Sequence, residues 1–174
     1  MMRALVTGSA QGIGRAIVDT LVGRGYGVVG ADIQVQESAG FEVLELDVSD
    51  TGACRRAVAQ LGHVDVLVNN AGVLVEKPPE SISDEEFDLT MAVNLRAPFV
   101  LSVAVSEGMK ERRWGRIINI SSVGARTGGI SQSSAYAASK AGLLALTKNF
   151  ARNLEPVGVT TNVVLRGAIA TPRT

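Results

Sequence analysis

Short apolar runs alternate with longer stretches of helical spacing along most of the chain, and few folds accommodate that order. The runs cover residues 4–6, 28–29, 43–46, 64–68, 116–120 and 159–165. The longer stretches cover about residues 12–24, 51–61, 84–110 and 135–154. Parallel strands are buried on both faces and need long crossovers, usually helices. The order therefore predicts an α/β fold: a doubly wound parallel (Rossmann) sheet of about six strands in a three-layer α/β/α arrangement. Between residues 31 and 42 there is little room for a helix, so we expect a loop.

Length and composition limit the class of protein. The 174 residues suffice for one domain with a buried core, and we expect a single domain over residues 1–174. Acidic and basic residues balance at 17 each, which gives no electrostatic reason to expect a nucleic-acid or membrane partner. The lone Cys54 cannot form an internal disulfide, which suits a reducing compartment. With no signal peptide evident and no apolar run near membrane-spanning length, the sequence predicts a soluble, cytoplasmic protein.

A glycine-rich segment, TGSAQGIG at residues 7–14, follows the first strand and opens the first helix. Glycines there permit a tight turn and let backbone N–H groups approach a pyrophosphate at the helix N-terminus. The spacing is Gly-x-x-x-Gly-x-Gly, which differs from the Gly-x-Gly-x-x-Gly of many dehydrogenases and from a phosphate-binding loop ending in Gly-Lys-Ser/Thr. The segment predicts a dinucleotide site, and the alternative is a glycine turn without a ligand.

Asp32 ends the second predicted strand, near the distance after the glycine loop at which a ribose-binding acid is found. A carboxylate there accepts hydrogen bonds from a ribose 2′-OH and repels a 2′-phosphate. Gln11 within the loop is neutral and offers a phosphate no cation. Together these residues favour NAD over NADP, unless Asp32 is merely a solvated acid at a strand end.

Tyr136 and Lys140 are four residues apart in a predicted helix, so their side chains share one face. A cation beside a phenol favours the phenolate, which suits general acid–base catalysis near neutral pH. This pair alone is a weak signal, because Tyr-x-x-x-Lys occurs by chance on many surface helices.

Four motifs occur in one order: residues 7–14, Asn-Asn-Ala-Gly at 69–72, Ser-Ser at 121–122 and Tyr-Ala-Ala-Ser-Lys at 136–140. With them the chain resembles the short-chain dehydrogenase/reductase family from its first strand to its end. The resemblance implies an NAD(P)-dependent oxidoreductase that interconverts a secondary alcohol and a ketone, with a small-molecule substrate. The one domain would then both bind the dinucleotide and carry the catalytic residues.

The resemblance also implies catalytic roles. Tyr136 would be the acid–base residue, and Lys140 would favour its phenolate and hydrogen-bond the nicotinamide ribose. Ser122 would hold and polarise the substrate oxygen, while Ser121 supports the backbone. Asn94 would bend the long helix and support a water that leads protons away from Lys140.

Cofactor contacts follow from the same resemblance. Residues 47–48 would border the adenine. Residues 69–72 would steady the sheet and line the adenosine side of the cofactor, although they also have a simpler interpretation as a structural turn. The implied cofactor-binding residues are Gly8, Gln11, Gly12, Ile13, Gly14, Asp32, Asp47, Val48, Asn70, Ala71, Gly72, Tyr136, Lys140, Gly167, Ile169 and Thr171. No His/Cys/Asp cluster has metal-ligand spacing, so we expect no metal site.

Two departures from the family pattern stand out. Arg166 replaces the proline that usually precedes Gly167, which places a charge near the cofactor. The sequence ends at Thr174, where family members continue into a substrate lid, a helix and a seventh strand. We therefore expect these parts to be absent and the sixth strand to be an exposed edge. Two alternatives stay open: an NAD-binding fragment without turnover, and an NADP-dependent 3-oxoacyl thioester reductase, which conflicts with Asp32. The family's use of its two long helices as an interface implies a homodimer through residues 84–110 and 135–154.

Overall fold

Six strands pair in parallel in a computed structural model that describes residues 1–34, 40–129 and 133–167. The strands are β1 (Arg3–Thr7), β2 (Gly27–Asp32), β3 (Glu42–Glu45), β4 (Val66–Asn69), β5 (Gly115–Ser122) and β6 (Val159–Arg166). Their order is β3-β2-β1-β4-β5-β6. The direction of winding reverses between β1 and β4, and at such a point the carboxyl ends of the strands open a crevice. The predicted doubly wound parallel sheet is confirmed.

The helices match the predicted stretches closely. They are α1 (Gly12–Gly23), α2 (Thr51–Leu61), α3 (Asp84–Met91), α4 (Ala97–Glu111), α5 (Gly124–Thr127) and α6 (Ser134–Leu154). A π-helical segment, Ala92–Arg96, joins α3 to α4, so the single predicted helix at 84–110 has three parts. Of the crossover after β2 that was predicted to be a loop, residues 33–34 and 40–41 are not helical, and residues 35–39 lie outside the described residues.

Both faces of the sheet are buried because neighbouring strand residues point to opposite sides. In β1, Leu5 belongs to the apolar cluster that contains α2 and α4, whereas Val6 packs with α1. In β4, Leu67 belongs to the same cluster as Leu5, and Val68 belongs to the same cluster as Val6. This two-sided burial explains why the strands have continuous apolar runs rather than alternating ones.

The start of α3 is fixed by a capping box. Ser83 Oγ accepts from the Glu86 N–H at 3.2 Å, and Glu86 Oε2 accepts from the Ser83 N–H at 3.1 Å. The first turn also carries Asp84 and Glu85, which suit the positive end of the helix dipole.

The expectation that no apolar run approaches membrane-spanning length was wrong for one helix. Asp84–Glu111 is 28 residues long, and its most apolar window has a mean hydropathy of 1.5. By length and composition alone it could cross a bilayer. However, 61% of that window is buried inside the fold, as in the core helix of a globular protein. Its apolar side chains, Leu101 and Met109 among them, pack against the sheet.

The sixth strand lies at the edge of the sheet. In the described part of the chain β6 pairs only with β5, from Val159 to Arg166. Val164 is 48% exposed there. The predicted apolar edge is therefore present in the described residues.

Candidate active site

The glycine loop is shaped by close approaches that leave no room for side chains. Gly8 and Gly12 have φ values of +67° and +56°, a region that favours glycine. A Cβ on Gly14 would lie 1.8 Å from Gly8 O. The start of α1 therefore packs directly on the turn that precedes it.

Asn70 ties the glycine loop to the end of β4. Its Nδ2 donates to Thr7 O and Gly8 O, both at 3.0 Å. In return, Thr7 Oγ1 accepts from the N–H groups of Asn70 and Ala71 at 3.1 Å. These reciprocal bonds hold together the carboxyl ends of β1 and β4, where the winding reverses.

Asp32 lies at the end of β2 with its carboxylate held by backbone groups. Oδ2 accepts from the Ala10 N–H at 2.9 Å and Oδ1 from the Gln34 N–H at 3.0 Å. A carboxylate has further lone pairs, so Asp32 can still accept from a ligand hydroxyl. The acid thus also supports the glycine loop, a role that the sequence did not reveal.

A cleft of about 390 Å³ runs along the carboxyl ends of the strands. It brings together eight of the residues predicted to bind the cofactor: Gly8, Gln11, Asp32, Asp47, Val48, Asn70, Ala71 and Gly72. Sequence reasoning missed other lining residues, among them Ile33, which is 64% exposed, and Leu89. An apolar side chain directly after a strand-end acid is a signal that could have identified Ile33. Asp47 Oδ1 accepts from the Ser49 N–H at 2.8 Å, which fixes the turn after β3.

Three loop residues predicted to bind the cofactor lie outside the lining of this cleft. Gly12 and Gly14 lie in the first turn of α1. Ile13 faces a separate apolar groove of about 350 Å³ between α1 and the strands, which Arg166 also lines. No side chain among the described residues caps the N-terminus of α1, and its first turn has no acid, so its N–H groups suit an anionic ligand.

Tyr136 and Lys140 lie in the first two turns of α6, and both are buried. Lys140 is 4% exposed, and its Nζ lies 5.7 Å from the centre of the Tyr136 ring. Nζ donates to Ile120 O at 2.8 Å. Burial, with a smaller contribution from the nearby Arg166 cation, lowers the pKa of Lys140 from 10.5 to about 8. The ammonium can therefore exchange a proton close to neutral pH.

The two serines at the end of β5 have different surroundings. Ser121 is fully buried and its Oγ donates to Lys140 O at 3.0 Å, which joins β5 to α6. Ser122 is half-buried, and its Oγ accepts from the Gly124 N–H at 3.1 Å. Because that bond uses Ser122 as an acceptor, its own O–H can donate to a ligand.

Arg166 reaches Tyr136 from the end of β6. Its Nη2 lies 3.3 Å from the Tyr136 hydroxyl oxygen, to which it donates. The sequence placed a charge near the cofactor at this position but did not predict contact with the tyrosine. Gly167 follows as an exposed residue. Ile169 and Thr171 lie outside the described residues.

Asn94 lies in the π-helical segment and is fully buried. Its Oδ1 accepts from the Val73 N–H, and its Nδ2 donates to Val73 O, both at 2.9 Å. Nδ2 also donates to Ser139 Oγ at 3.1 Å, and Ser139 Oγ donates to Tyr136 O at 2.7 Å. Asn94 therefore connects the cleft wall at Val73 with the helix that carries Tyr136.

A second buried amide network was not anticipated from the sequence. Asn69 Nδ2 donates to Asn119 Oδ1 at 2.8 Å, and Asn119 Nδ2 donates to Thr147 Oγ1 at 2.9 Å. The chain of bonds links β4, β5 and α6 behind the candidate site. It helps to fix the height of α6 above the sheet.

Comparisons with known proteins agree with this geometry. The family model for short chain dehydrogenase matches residues 2–174. The 3-oxoacyl-[acyl-carrier-protein] reductase FabG of Salmonella typhimurium is 40% identical over 183 residues, which cover 98% of this chain and 75% of the relative.

Solved structures give the same result. A 4-hydroxyisoleucine dehydrogenase complexed with NADH matches with a TM-score of 0.93 at 30% identity, covering 98% of this chain and 77% of that one. A putative NAD(P) dependent gluconate 5-dehydrogenase from Beutenbergia cavernae, with bound NADP, matches with a TM-score of 0.93 at 32% identity. The match covers 98% of this chain and 73% of that one. The chain therefore belongs to the short-chain dehydrogenase/reductase family of NAD(P)-binding oxidoreductases, which act on CH–OH groups.

Proposed function

We propose that the chain is one domain that binds NAD and interconverts a secondary alcohol and a ketone by hydride transfer. The observation that carries this proposal is the pair Tyr136 and Lys140, buried together on α6, with Lys140 Nζ hydrogen-bonded to Ile120 O on β5, the strand that ends at Ser122. The cradle fits a dinucleotide, because the turn at Gly8 and Gly14 has no space for a Cβ and the start of α1 offers N–H groups.

Tyr136, Ser122 and Lys140 have separate roles in the proposed hydride transfer. When bound, the nicotinamide supplies or accepts the hydride. Tyr136 donates a proton to the substrate oxygen during reduction and accepts it during oxidation. Ser122 donates a hydrogen bond to the same oxygen, where charge develops. Lys140, whose Nζ lies 5.7 Å from the centre of the Tyr136 ring and whose pKa is about 8, can pass a proton onward.

Asn94 acts in this proposal mainly by positioning. Both hydrogens of its Nδ2 are used by Val73 O and Ser139 Oγ, so it can hold a water only as an acceptor. Its bonds fix the cleft wall and the backbone of Tyr136. A water that relays protons at this position would donate a hydrogen bond to Asn94 Oδ1 or to a backbone carbonyl oxygen.

Direct tests of the function are calorimetry with NAD and a screen of secondary alcohols for NADH formation. Binding with turnover supports the proposal. Binding without turnover of any alcohol or ketone would favour the alternative of an NAD-binding protein without catalysis, and no NAD binding would contradict both.

We infer a preference for NAD over NADP. The Asp32 carboxylate lines the cleft, and neither Lys nor Arg is among the described lining residues. A ribose 2′-hydroxyl can donate to Asp32, whereas a 2′-phosphate would meet its negative charge without a compensating cation.

Replacing Asp32 with asparagine tests this preference. The amide oxygen can still accept from the Ala10 N–H, but the repulsive charge is gone. We expect the ratio of NADP to NAD affinity to rise roughly tenfold or more, as measured by calorimetry with each cofactor. Asp19→Asn, an equal charge change at an exposed position of α1, should leave the ratio unchanged. An unchanged ratio in Asp32→Asn would argue against this role.

A second candidate function is reduction of a 3-oxoacyl thioester with NADPH. It is favoured by the 40% identity to the Salmonella reductase. Asp32 opposes it, because that acid disfavours NADPH. Rates with a 3-oxoacyl thioester and each reduced cofactor distinguish the two functions, since the second requires faster turnover with NADPH.

We also propose a homodimer through α3, α4 and α6. These helices border an open groove of about 1030 Å³, and Leu89 and Phe99 along it are 48% and 46% exposed. Gly142 accommodates Leu95 of the same chain, and the small side chain of Ala145 leaves the facing side of α6 open to another helix. Light scattering should give the mass of two chains; the mass of one would contradict the proposal.

A cytoplasmic location is consistent with the chemistry of Cys54. This thiol is fully buried, and burial raises its pKa to about 11. A neutral, inaccessible thiol is a packing group rather than a redox centre. We propose that the protein functions in a reducing compartment on a small-molecule alcohol or ketone.

A further inference from the structure

Arg166 is held firmly at the candidate active site. It is in register with Ser122 on the neighbouring strand, and its carbonyl accepts from the Val123 N–H at 3.0 Å. The backbone is thus fixed next to the serine, while the half-buried side chain extends to the Tyr136 hydroxyl at 3.3 Å. The backbone of Arg166 is therefore fixed next to Ser122, and its guanidinium lies at Tyr136, the proposed acid–base residue.

The positive charge of Arg166 has no counter-ion in the described parts of the chain. No carboxylate there lies within 4.0 Å of its guanidinium or of Lys140 Nζ. Two cations thus flank one phenol, and the depressed pKa of Lys140 is partly a result of this proximity. A partly desolvated charge is costly unless an anion accompanies it.

We propose that Arg166 binds a carboxylate of the substrate, so that the enzyme acts on hydroxy acids and oxo acids. This inference rests on the proposed hydride-transfer function. In oxidation, the carbinol C–H bond breaks and its electron pair passes with the hydrogen to NAD⁺. The O–H proton passes to Tyr136 and the C=O bond forms, while the carboxylate is unchanged.

The geometry limits where that carboxylate lies in the substrate. The reacting oxygen is one hydrogen bond from the Tyr136 hydroxyl, and the guanidinium is 3.3 Å from the same hydroxyl. A carboxylate bound to Arg166 would therefore be only a few carbon atoms from the reacting carbon. The planar fork of arginine suits bidentate binding of such a group.

The cofactor diphosphate is the other anion that Arg166 could bind, since the residue also lines the groove that contains Ile13. The substrate is favoured because the guanidinium donates to the hydroxyl of Tyr136, the residue proposed to exchange a proton with the substrate oxygen. If Arg166 binds the cofactor diphosphate, its replacement should weaken the binding of NAD in the absence of substrate. If it binds the substrate carboxylate, its replacement should leave that binding unchanged.

The test compares matched acids and esters: 3-oxobutanoate and 4-oxopentanoate against their methyl esters. Turnover with NADH and binding to the protein–NAD complex are both measured, for the wild type, Arg166→Gln and Arg166→Lys. We expect the wild type to prefer one of the acids, and Arg166→Gln to lose roughly ten- to hundredfold in affinity for it. Arg166→Lys should recover part of that loss, and Arg24→Gln, at an exposed position, should match the wild type.

The outcomes separate the possible failures. Equal or better use of the esters, or an acid preference that survives in Arg166→Gln, would overturn the carboxylate role and leave hydride transfer intact. Weaker binding of NAD alone to Arg166→Gln would assign the residue to the cofactor and also overturn it. Binding of the acids without turnover of any compound would contradict the proposed function, while the acid–ester difference in binding would still decide the role of Arg166.

Discussion

Replacing Tyr136 with phenylalanine should slow hydride transfer by roughly 10²- to 10⁴-fold, the usual contribution of a general acid–base group. The substitution removes one oxygen and, with it, the hydrogen bond that Arg166 Nη2 donates to the hydroxyl. The ring is 9% exposed and retains its packing, and Lys140 Nζ keeps its hydrogen bond to Ile120 O. The fold and the glycine loop should therefore be unaffected.

The measurement is kcat for alcohol oxidation, together with calorimetry of NAD binding. NAD affinity should fall by no more than a few fold, because the proposed contacts of the glycine loop and Asp32 remain. Tyr26→Phe is the matched control, since Tyr26 is the other tyrosine and packs against the α1 side of the core. If Tyr136→Phe turned over at a rate close to that of the wild type, the acid–base assignment would be wrong.

The sheet could be predicted because strands that are buried on both faces consist of nearly continuous runs of apolar residues. Leu5 and Val6 face different layers, yet both must be apolar, so the strand is visible as a run. The glycine loop was visible for a related reason, since only glycine tolerates the close approach at Gly14. Such constraints act on single residues or short segments.

Contacts between distant polar residues could not be predicted in that way. Thr7 and Asn70 are 63 residues apart and meet only because β1 and β4 are neighbours in the sheet. The bond between Arg166 and Tyr136 depends on how far a long side chain extends past a strand end. Neither leaves a periodic signal in the sequence.

The helix Asp84–Glu111 shows a further limit of composition. An apolar stretch has the same average hydropathy whether its neighbours are lipid or protein. Only the structure, in which Leu101 and Met109 pack against the sheet, identifies the core as its environment.

Replacing Gly14 with alanine should both destabilise the fold and abolish tight NAD binding. The new Cβ would lie 1.8 Å from Gly8 O and 2.6 Å from Asn70 Nδ2. The Gly8 carbonyl is backbone and cannot rotate away, so α1 or the loop must shift. Overpacking of this kind costs about 1–3 kcal/mol, or more where backbone must move. The helix propensity of alanine offsets at most about 1 kcal/mol of that.

Gly23→Ala separates these two contributions within the same helix. Gly23 has no atom within 4 Å of an added Cβ, so only the propensity gain applies there. Urea unfolding should show Gly23→Ala as stable as the wild type or slightly more stable, and Gly14→Ala as clearly less stable. NAD titration of the folded fraction should show normal affinity for the first variant and a loss for the second. Equal stability and equal NAD affinity in Gly14→Ala would mean that the contact between α1 and Gly8 shapes neither the fold nor the cofactor site. Loss of stability alone would make Gly14 a packing residue, because a shifted loop that still binds NAD cannot be the cradle proposed for the diphosphate.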